Sequence, residues 1–310
     1  MSAATDVQAL GQQIVDVDKP DKGDLTLWSV TTIIGVLDKP ALLYWAAEQT
    51  ANAAIDNLST WQAMVNDRGR GEAVKWLRDA RFRRPKDQLS ATDLGTVVHS
   101  LCEQYALTGV RPTKDETSQL VRNIGGPDVQ IEEETKVAGR CLIQFENWLQ
   151  RFRPSYQATE VCVYSPTFGY AGQCDGFLTI DGFRAIIDYK STRDPLDSRG
   201  NAKTPYPEQV GLQLAAYRFA EMAAVWRPRR FEKFRRRYYA LSAEEQSMAV
   251  KVPEVDGGLC IQITPESCEA YPIRCDSEAH TAFLYALECF RWVEHTSKTA
   301  MGDALVKAGE

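Results

Sequence analysis

The stretch "DGFLTIDGFRAIIDYKST", residues 175–192, constrains the fold more than any other part of the chain. At its centre Asp181-Gly182 is the dipeptide best suited to a two-residue type I′ turn. Apolar runs flank it on both sides, so the segment predicts a β-hairpin. With Ile180 and Phe183 closing the turn, opposed residues share a constant number sum: Leu178 faces Ala185, Phe177 faces Ile186, and Asp175 faces Asp188. Alternation along the strand then puts Lys190 on the face of that aspartate pair. Phe177, Thr179 and Ile186 share the charged face, while Leu178, Ile180, Phe183, Ile187 and Tyr189 take the other. Strands apolar on both faces are central ones, covered above and below.

Two carboxylates held about 5 Å apart at an effective dielectric near 20 repel by roughly 3 kcal/mol. Lys190 is one group that offsets this. A divalent cation is another, since hard cations take carboxylate oxygens. The plainer alternative is a solvated hairpin whose charges point at water, but apolar residues on both faces speak against it, because buried charges need partners or metals.

The remaining sequence bounds the function classes. A chain of 310 residues can hold one large domain or two smaller ones around a substantial core. Eight cysteines without a C-x-x-C pair, no secretory leader and no long apolar run predict reduced cytosolic thiols and no membrane span. No G-x-x-x-x-G-K-[ST] loop, H-E-x-x-H or G-x-S-x-G occurs, so ATP hydrolysis, zincin and serine-hydrolase readings lose their support. Gly69-Arg70-Gly71 lacks the third glycine of a dinucleotide loop and reads as a loop entering a helix. The net charge of −6 conceals two basic segments, 68–86 and 227–237.

Residues 1–24 read as a disordered or loosely docked arm, with order beginning near Leu25. Residues 25–155 form a largely helical part. Its helices are expected at about 41–55, 71–82, 94–107 and 131–152, the third opened by Ser90 and Asp93 and carrying His99. A core of 156–296 follows: a strand, the hairpin, a polar loop from Thr192 to Lys203, a helix near 207–225, strands near 247–253 and 258–263, and a helix near 277–294. Residues 297–310 are a tail. The layout is mixed α+β without repeats.

Beyond the hairpin, Glu160 can project a third carboxylate toward Asp175 and Asp188, or occupy a surface position of its strand. Gln213 and Tyr217 lie four apart on one helix face with Gln209, and the same spacing suits ordinary helix packing. His99 sits at the edge of an apolar helix face with Gly95 one turn earlier; a histidine there is either a hydrogen-bonded core residue or a ligand.

The order "LGTVVH", "GQCDGF", "IIDYK", "QLAAY" resembles the RecB-like nuclease branch of the PD-(D/E)XK superfamily, and "SVTTIIGVLDKPALLYWA" is similar to its phage-type members. The resemblance implies an α/β/α, restriction-endonuclease-like fold, a mixed sheet flanked by helices. It implies Asp175 and Asp188 as metal ligands with His99 as a further one, Lys190 as the catalytic lysine, and Gln213 and Tyr217 beside the active site. Glu160 and the backbone carbonyl of Tyr189 are expected to complete the shell around one or two magnesium or manganese ions. Cys260, Cys268, Cys275 and Cys289 are spaced too widely for the iron–sulfur pattern of some relatives, so no cluster is expected.

DNA is the expected partner. Arg78, Arg81, Arg83, Arg84, Arg229, Arg230, Arg235, Arg236 and Arg237 are expected to track its phosphates, with Tyr238 and Tyr239 as stacking surfaces. These basic segments also suit solvated helix faces. The chain carries no helicase motif, so it is expected to act on ends already present or to depend on a partner, a single-strand annealing recombinase or a helicase. The leading reading is a metal-dependent DNA exonuclease of recombination, replication or repair. A structure-specific endonuclease and a non-catalytic DNA-binding or recombinase-loading module are the alternatives.

Overall fold

The structure, a computed structural model, describes residues 15–37, 40–79, 87–196, 200, 202–205, 207–224, 228–233 and 236–303. Its strands are β1 (Val15–Asp16), β2 (Leu25–Ser29), β3 (Ser155–Ser165), β4 (Tyr170–Ile180), β5 (Phe183–Ser191), β6 (Met222–Ala223), β7 (Arg229–Lys233), β8 (Arg236–Leu241), β9 (Val250–Lys251), β10 (Gly257–Ile263) and β11 (Cys268–Ile273). The helices are α1 (Val30–Ile34), α2 (Pro40–Asp56), α3 (Leu58–Arg68), α4 (Arg70–Arg78), α5 (Ala91–Thr108), α6 (Lys114–Ile124), α7 (Ile131–Phe152), α8 (Pro207–Arg218), α9 (Ala243–Met248) and α10 (Ser277–Glu294).

The hairpin β4–β5 has the register its sequence predicts. Ile180 pairs with Phe183, Leu178 with Ala185 and Phe177 with Ile186. Asp181 and Gly182 make the turn at φ 47° and 84°, the left-handed geometry that a type I′ turn demands at both positions. Pairing stops at Gly176–Ile187, one step short of Asp175 and Asp188.

That stop follows from how β4 is shared. Strand β3 runs antiparallel along one whole edge of β4, from Ser155–Thr179 to Ser165–Tyr170. The other edge is divided: β5 pairs with Gly176–Ile180, and β2 pairs in parallel with Tyr170 and Ala171. Residues 172–175 lie between the two ladders, so the sheet splits there. Beyond β2 come β8, β7 and β1; beyond β3 come β6 and β9; beyond β5 come β10 and β11.

Helices cover both faces. Ile186, Phe177 and Val161 lie in a buried cluster with Leu214 and Tyr217 of α8, Phe283 and Leu287 of α10, and Ile33 of α1. Leu178, Ile187 and Tyr189 lie in another with Val98 and Leu101 of α5 and with Cys141, Phe145 and Trp148 of α7. Both faces of the hairpin are therefore sealed, as its two-sided apolar pattern predicts, and the layers are the α/β/α arrangement that the resemblance implies. Each such buried side chain contributes about 1.5–3 kcal/mol. Helix α5, which carries His99, starts where expected: Ser90 Oγ accepts the Asp93 backbone N–H at 2.9 Å, and Gly109 ends it at φ 65°.

Several elements differ from the sequence reading. Ordered structure begins by Val15, because β1 docks on β7, and residues 1–14 lie outside the described part. Strand β2 is built into the sheet between β8 and β4, so the sheet draws on the part expected to be helical. The second basic segment forms strands β7 and β8 rather than helix faces. Helices α3 and α6 and strand β11 are additional, and α8 ends at Arg218 rather than near 225.

Candidate active site

Asp175 sits at the split in the sheet, where no strand supplies a ladder partner on that edge. Its own carboxylate fills the gap: Oδ2 accepts the backbone N–H of Tyr189. That contact joins β4 to β5 after their ladder has ended. Burial pushes the Asp175 carboxyl up to about 6, against the opposing pull of Lys190 and the Tyr189 N–H.

Asp188 follows two residues after Ile186 on the face covered by α8, and only 3% of it is exposed. Gln213 Nε2 donates to its Oδ1 at 3.0 Å, and the same amide lies 3.1 Å from the Tyr217 hydroxyl one turn along α8. Tyr217 in turn lies against Gly172. A Cβ at that glycine would come within 2.3 Å of the ring, so close packing of α8 on β4 requires glycine there. Lys190 reaches back so that its ammonium pairs with Asp188 Oδ2. Burial disfavours both charges. The Asp188 carboxyl rises for that reason, whereas the attraction of Asp188 and Asp175 more than offsets burial at Lys190 and holds the ammonium charged.

The acid directly across from Asp175 is Glu160, not Asp188. On β3 Glu160 falls between the pairs Thr159–Gly176 and Val161–Cys174, with a left-handed φ of 51° that is rare for a non-glycine residue. Burial, then Asp175, then Glu103 push its carboxyl up to about 9, so it carries a proton at neutral pH. That proton, together with Lys190, relieves the like-charge repulsion. Glu103 went unnoticed in the sequence. It lies one helical turn after His99, and its Oε1 accepts from Thr159 Oγ1 at 3.3 Å. The i, i+4 spacing from His99 was the signal that could have found it.

His99 Nδ1 stands 3.8 Å from Asp175 Oδ1, with the Tyr189 backbone carbonyl also beside the ring. Burial lowers its pKa to about 4, so it is neutral at pH 7 and the contact with Asp175 is not an ion pair. A neutral imidazole edge facing a carboxylate oxygen is the state a metal would bind. As the side chains stand, no three His, Cys, Asp or Glu groups among the described residues are gathered closely enough to hold an ion.

A family profile described as the PD-(D/E)XK nuclease superfamily matches residues 73–286, a span that includes every residue just named. The chain belongs to the PD-(D/E)XK nuclease superfamily. Membership implies a phosphodiester-hydrolysing nuclease, and the mixed sheet between helical layers is the fold that goes with it. No curated protein matches the chain. The crystal structure of SSO0001 matches at 14% identity over 69% of this chain and 80% of its own, with a TM-score of 0.27, a likeness too loose to carry an argument.

In this PD-(D/E)XK chain the residues read from the sequence as one site do come together: His99, Glu160, Asp175, Asp188, Tyr189, Lys190, Gln213 and Tyr217. Among the described residues, most of the predicted arginines are paired with acids rather than free. Arg229 pairs with Asp21, Asp24 and Glu245, Arg230 with Asp16, and Arg236 with Glu294. Arg237 is more open, its nearest acid being Glu232 at 3.9 Å, and Arg78 is exposed beside Asp79. Arg81, Arg83, Arg84 and Arg235 lie outside the described residues. Tyr239 is buried, and Tyr238 packs between Trp28 and Phe231 at ring distances of 4.2 and 4.9 Å, so neither is an open stacking surface. No helix among the described residues is long and apolar enough to cross a membrane.

Proposed function

We propose that the chain is a magnesium- or manganese-dependent deoxyribonuclease of the RecB-like, phage-type branch, an exonuclease of recombination, replication or repair. The observation that carries this reading is the meeting of a part-buried aspartate, Asp175, a buried one, Asp188, and a charged lysine at the split in the sheet. The donors fit a hard divalent ion: Asp175 and Asp188 would hold it, with Glu160, His99 and the Tyr189 carbonyl available around them. A bound ion of this kind supplies an acidified water and polarises the phosphoryl oxygen.

The chain's own groups do the rest. Gln213 fixes the Asp188 carboxylate, and Tyr217 fixes Gln213. Lys190, held as an ammonium, suits charge stabilisation at the phosphate better than deprotonation of water. With no helicase motif in the chain, it would act on ends already present or depend on a partner such as a helicase or an annealing recombinase.

End-labelled single- and double-stranded DNA, with magnesium and then with chelator, tests this reading. Shortening from the ends with magnesium, none with chelator, and an intact closed circle are expected. Cutting of the closed circle would favour the endonuclease alternative, and turnover in chelator would refute metal dependence.

Two substitutions separate the roles. Lys190→Ala is expected to lower cleavage by about 10²–10³-fold. Calorimetry should find its manganese affinity equal to the parent's or higher, because the ammonium no longer competes for Asp188 Oδ2. His99→Ala should reduce cleavage by about 10–100-fold, with partial rescue by excess manganese. Loss of the helical circular-dichroism signal in that variant would instead mark His99 as a packing residue.

A further inference from the structure

The arginines of β7 raise a question that the active site does not answer: why they are paired with acids from the beginning of the chain. Residues 15–24, "VDVDKPDKGD", place an acid at every second or third position. β1 adds to β7 by only two pairs, Val15–Arg229 and Asp16–Arg230, extended by Val17 N–H donating to the Arg230 carbonyl at 2.7 Å. Asp16 accepts from Arg230 Nε at 2.8 Å and from Nη2 at 3.3 Å, while Asp21 accepts from Arg229 Nη1 at 2.6 Å. Two oxygens on one guanidinium fork is also how arginine holds a phosphate.

We infer that this acidic strap is a displaceable phosphate mimic, occupying an arginine corner that the backbone of a nucleic acid takes when the strap leaves. The inference rests on the nuclease reading for the identity of the polyanion.

The two halves of the corner differ in permanence. Arg229 keeps Asp24 and Glu245, whose side chains are largely buried, when Asp21 departs. Among the described residues, Asp16 is the one acid hydrogen-bonded to Arg230. The side chains of Asp16 and Asp21 are 73% and 82% exposed. Ion pairs this exposed contribute little and are screened by salt, so they yield to a denser row of charge.

The corner also faces the right way. Arg230 pairs with Tyr239, Tyr239 pairs with Leu27, and residues paired across a sheet share a face. Leu27 and Tyr239 belong to one apolar cluster with Cys162, two residues from Glu160 on β3. Arg237, paired with Glu232, lies on that face too and is open. Arg230, Arg237 and Glu160 all lie near enough to act on the buried Tyr239 hydroxyl, so the arginines stand on the Glu160 side of the sheet.

Fluorescence anisotropy with a labelled single-stranded oligonucleotide in chelator tests the inference on the full chain, without cleavage. Asp16→Asn with Asp21→Asn should tighten binding about five- to tenfold at low salt and steepen its salt dependence by about one charge per freed arginine. Arg230→Gln alone should change affinity less than about twofold, yet erase most of the gain when added to the strap variant. Glu266→Gln with Glu269→Gln removes the same charge at exposed positions elsewhere and should give a much smaller gain.

An equal gain in that control, no gain in the strap variant, or a gain that survives the loss of Arg230 would overturn the inference. So would a large loss from Arg230→Gln alone, a result that needs no strap variant to fold. Cleavage by the parent with magnesium is scored separately, so a protein that binds as described but never cuts would refute the nuclease reading and leave the strap standing.

Discussion

Asp188→Asn is expected to lower DNA cleavage by at least about a thousandfold while the metal-free fold stays as stable as the parent or becomes more so. The asparagine keeps an oxygen for Gln213 Nε2 and fills the same space, so packing under α8 is preserved. What disappears is a carboxylate that burial already disfavours. Lys190, with its side chain 41% exposed, can turn its ammonium to water.

Asp175→Asn should behave likewise, and its pH dependence has a defined sign. The folded Asp175 has a pKa of about 6, above the usual value near 4, so the folded chain binds this proton more tightly than the unfolded chain. Its ionisation therefore costs stability as pH rises from about 4 to 6, by roughly 1–3 kcal/mol once complete. Thermal melts without metal should find Asp175→Asn more stable than the parent above pH 6 and equal to it near pH 4. A large loss of stability at pH 8 would mean that the carboxylate is structural.

Gly172→Ala is expected to destabilise the fold by about 2–3 kcal/mol and to impair cleavage as well. The added methyl would sit 2.3 Å from Tyr217 Cε1, and Tyr217 is almost wholly buried between α8 and β4. Either the ring or the helix must move, and both carry Gln213 away from Asp188. Denaturant unfolding together with single-turnover cleavage checks this. A variant with parental stability and rate would show that the ring does not rest on the glycine.

The hairpin was legible because its information is local: a turn dipeptide, two-sided apolar strands and a constant register sum. The site was legible for the same reason, since Asp175, Asp188 and Lys190 all hang from that one unit. The partner facing Asp175 was legible only in part: Glu160 could be named, but not its register. Glu160 comes from β3, and the split that draws Asp175 off the β5 ladder exists only because β2, far earlier in the chain, takes the other end of β4. The basic strands misled for a related reason. Few acids lie within 227–237, but Asp16, Asp21, Asp24, Glu245 and Glu294 reach those arginines from elsewhere in the chain. β1, only two residues long, has no periodicity to read.

Calorimetric titration of manganese into the metal-free chain at pH 8, comparing the parent with Asp188→Asn, tests the central claim most directly. At that pH Asp175 is ionised and His99 is neutral, so both are ready to act as ligands. Saturable binding by the parent and its loss in the folded asparagine variant are the results expected of a cation site between the aspartates. Undiminished binding by Asp188→Asn would contradict it.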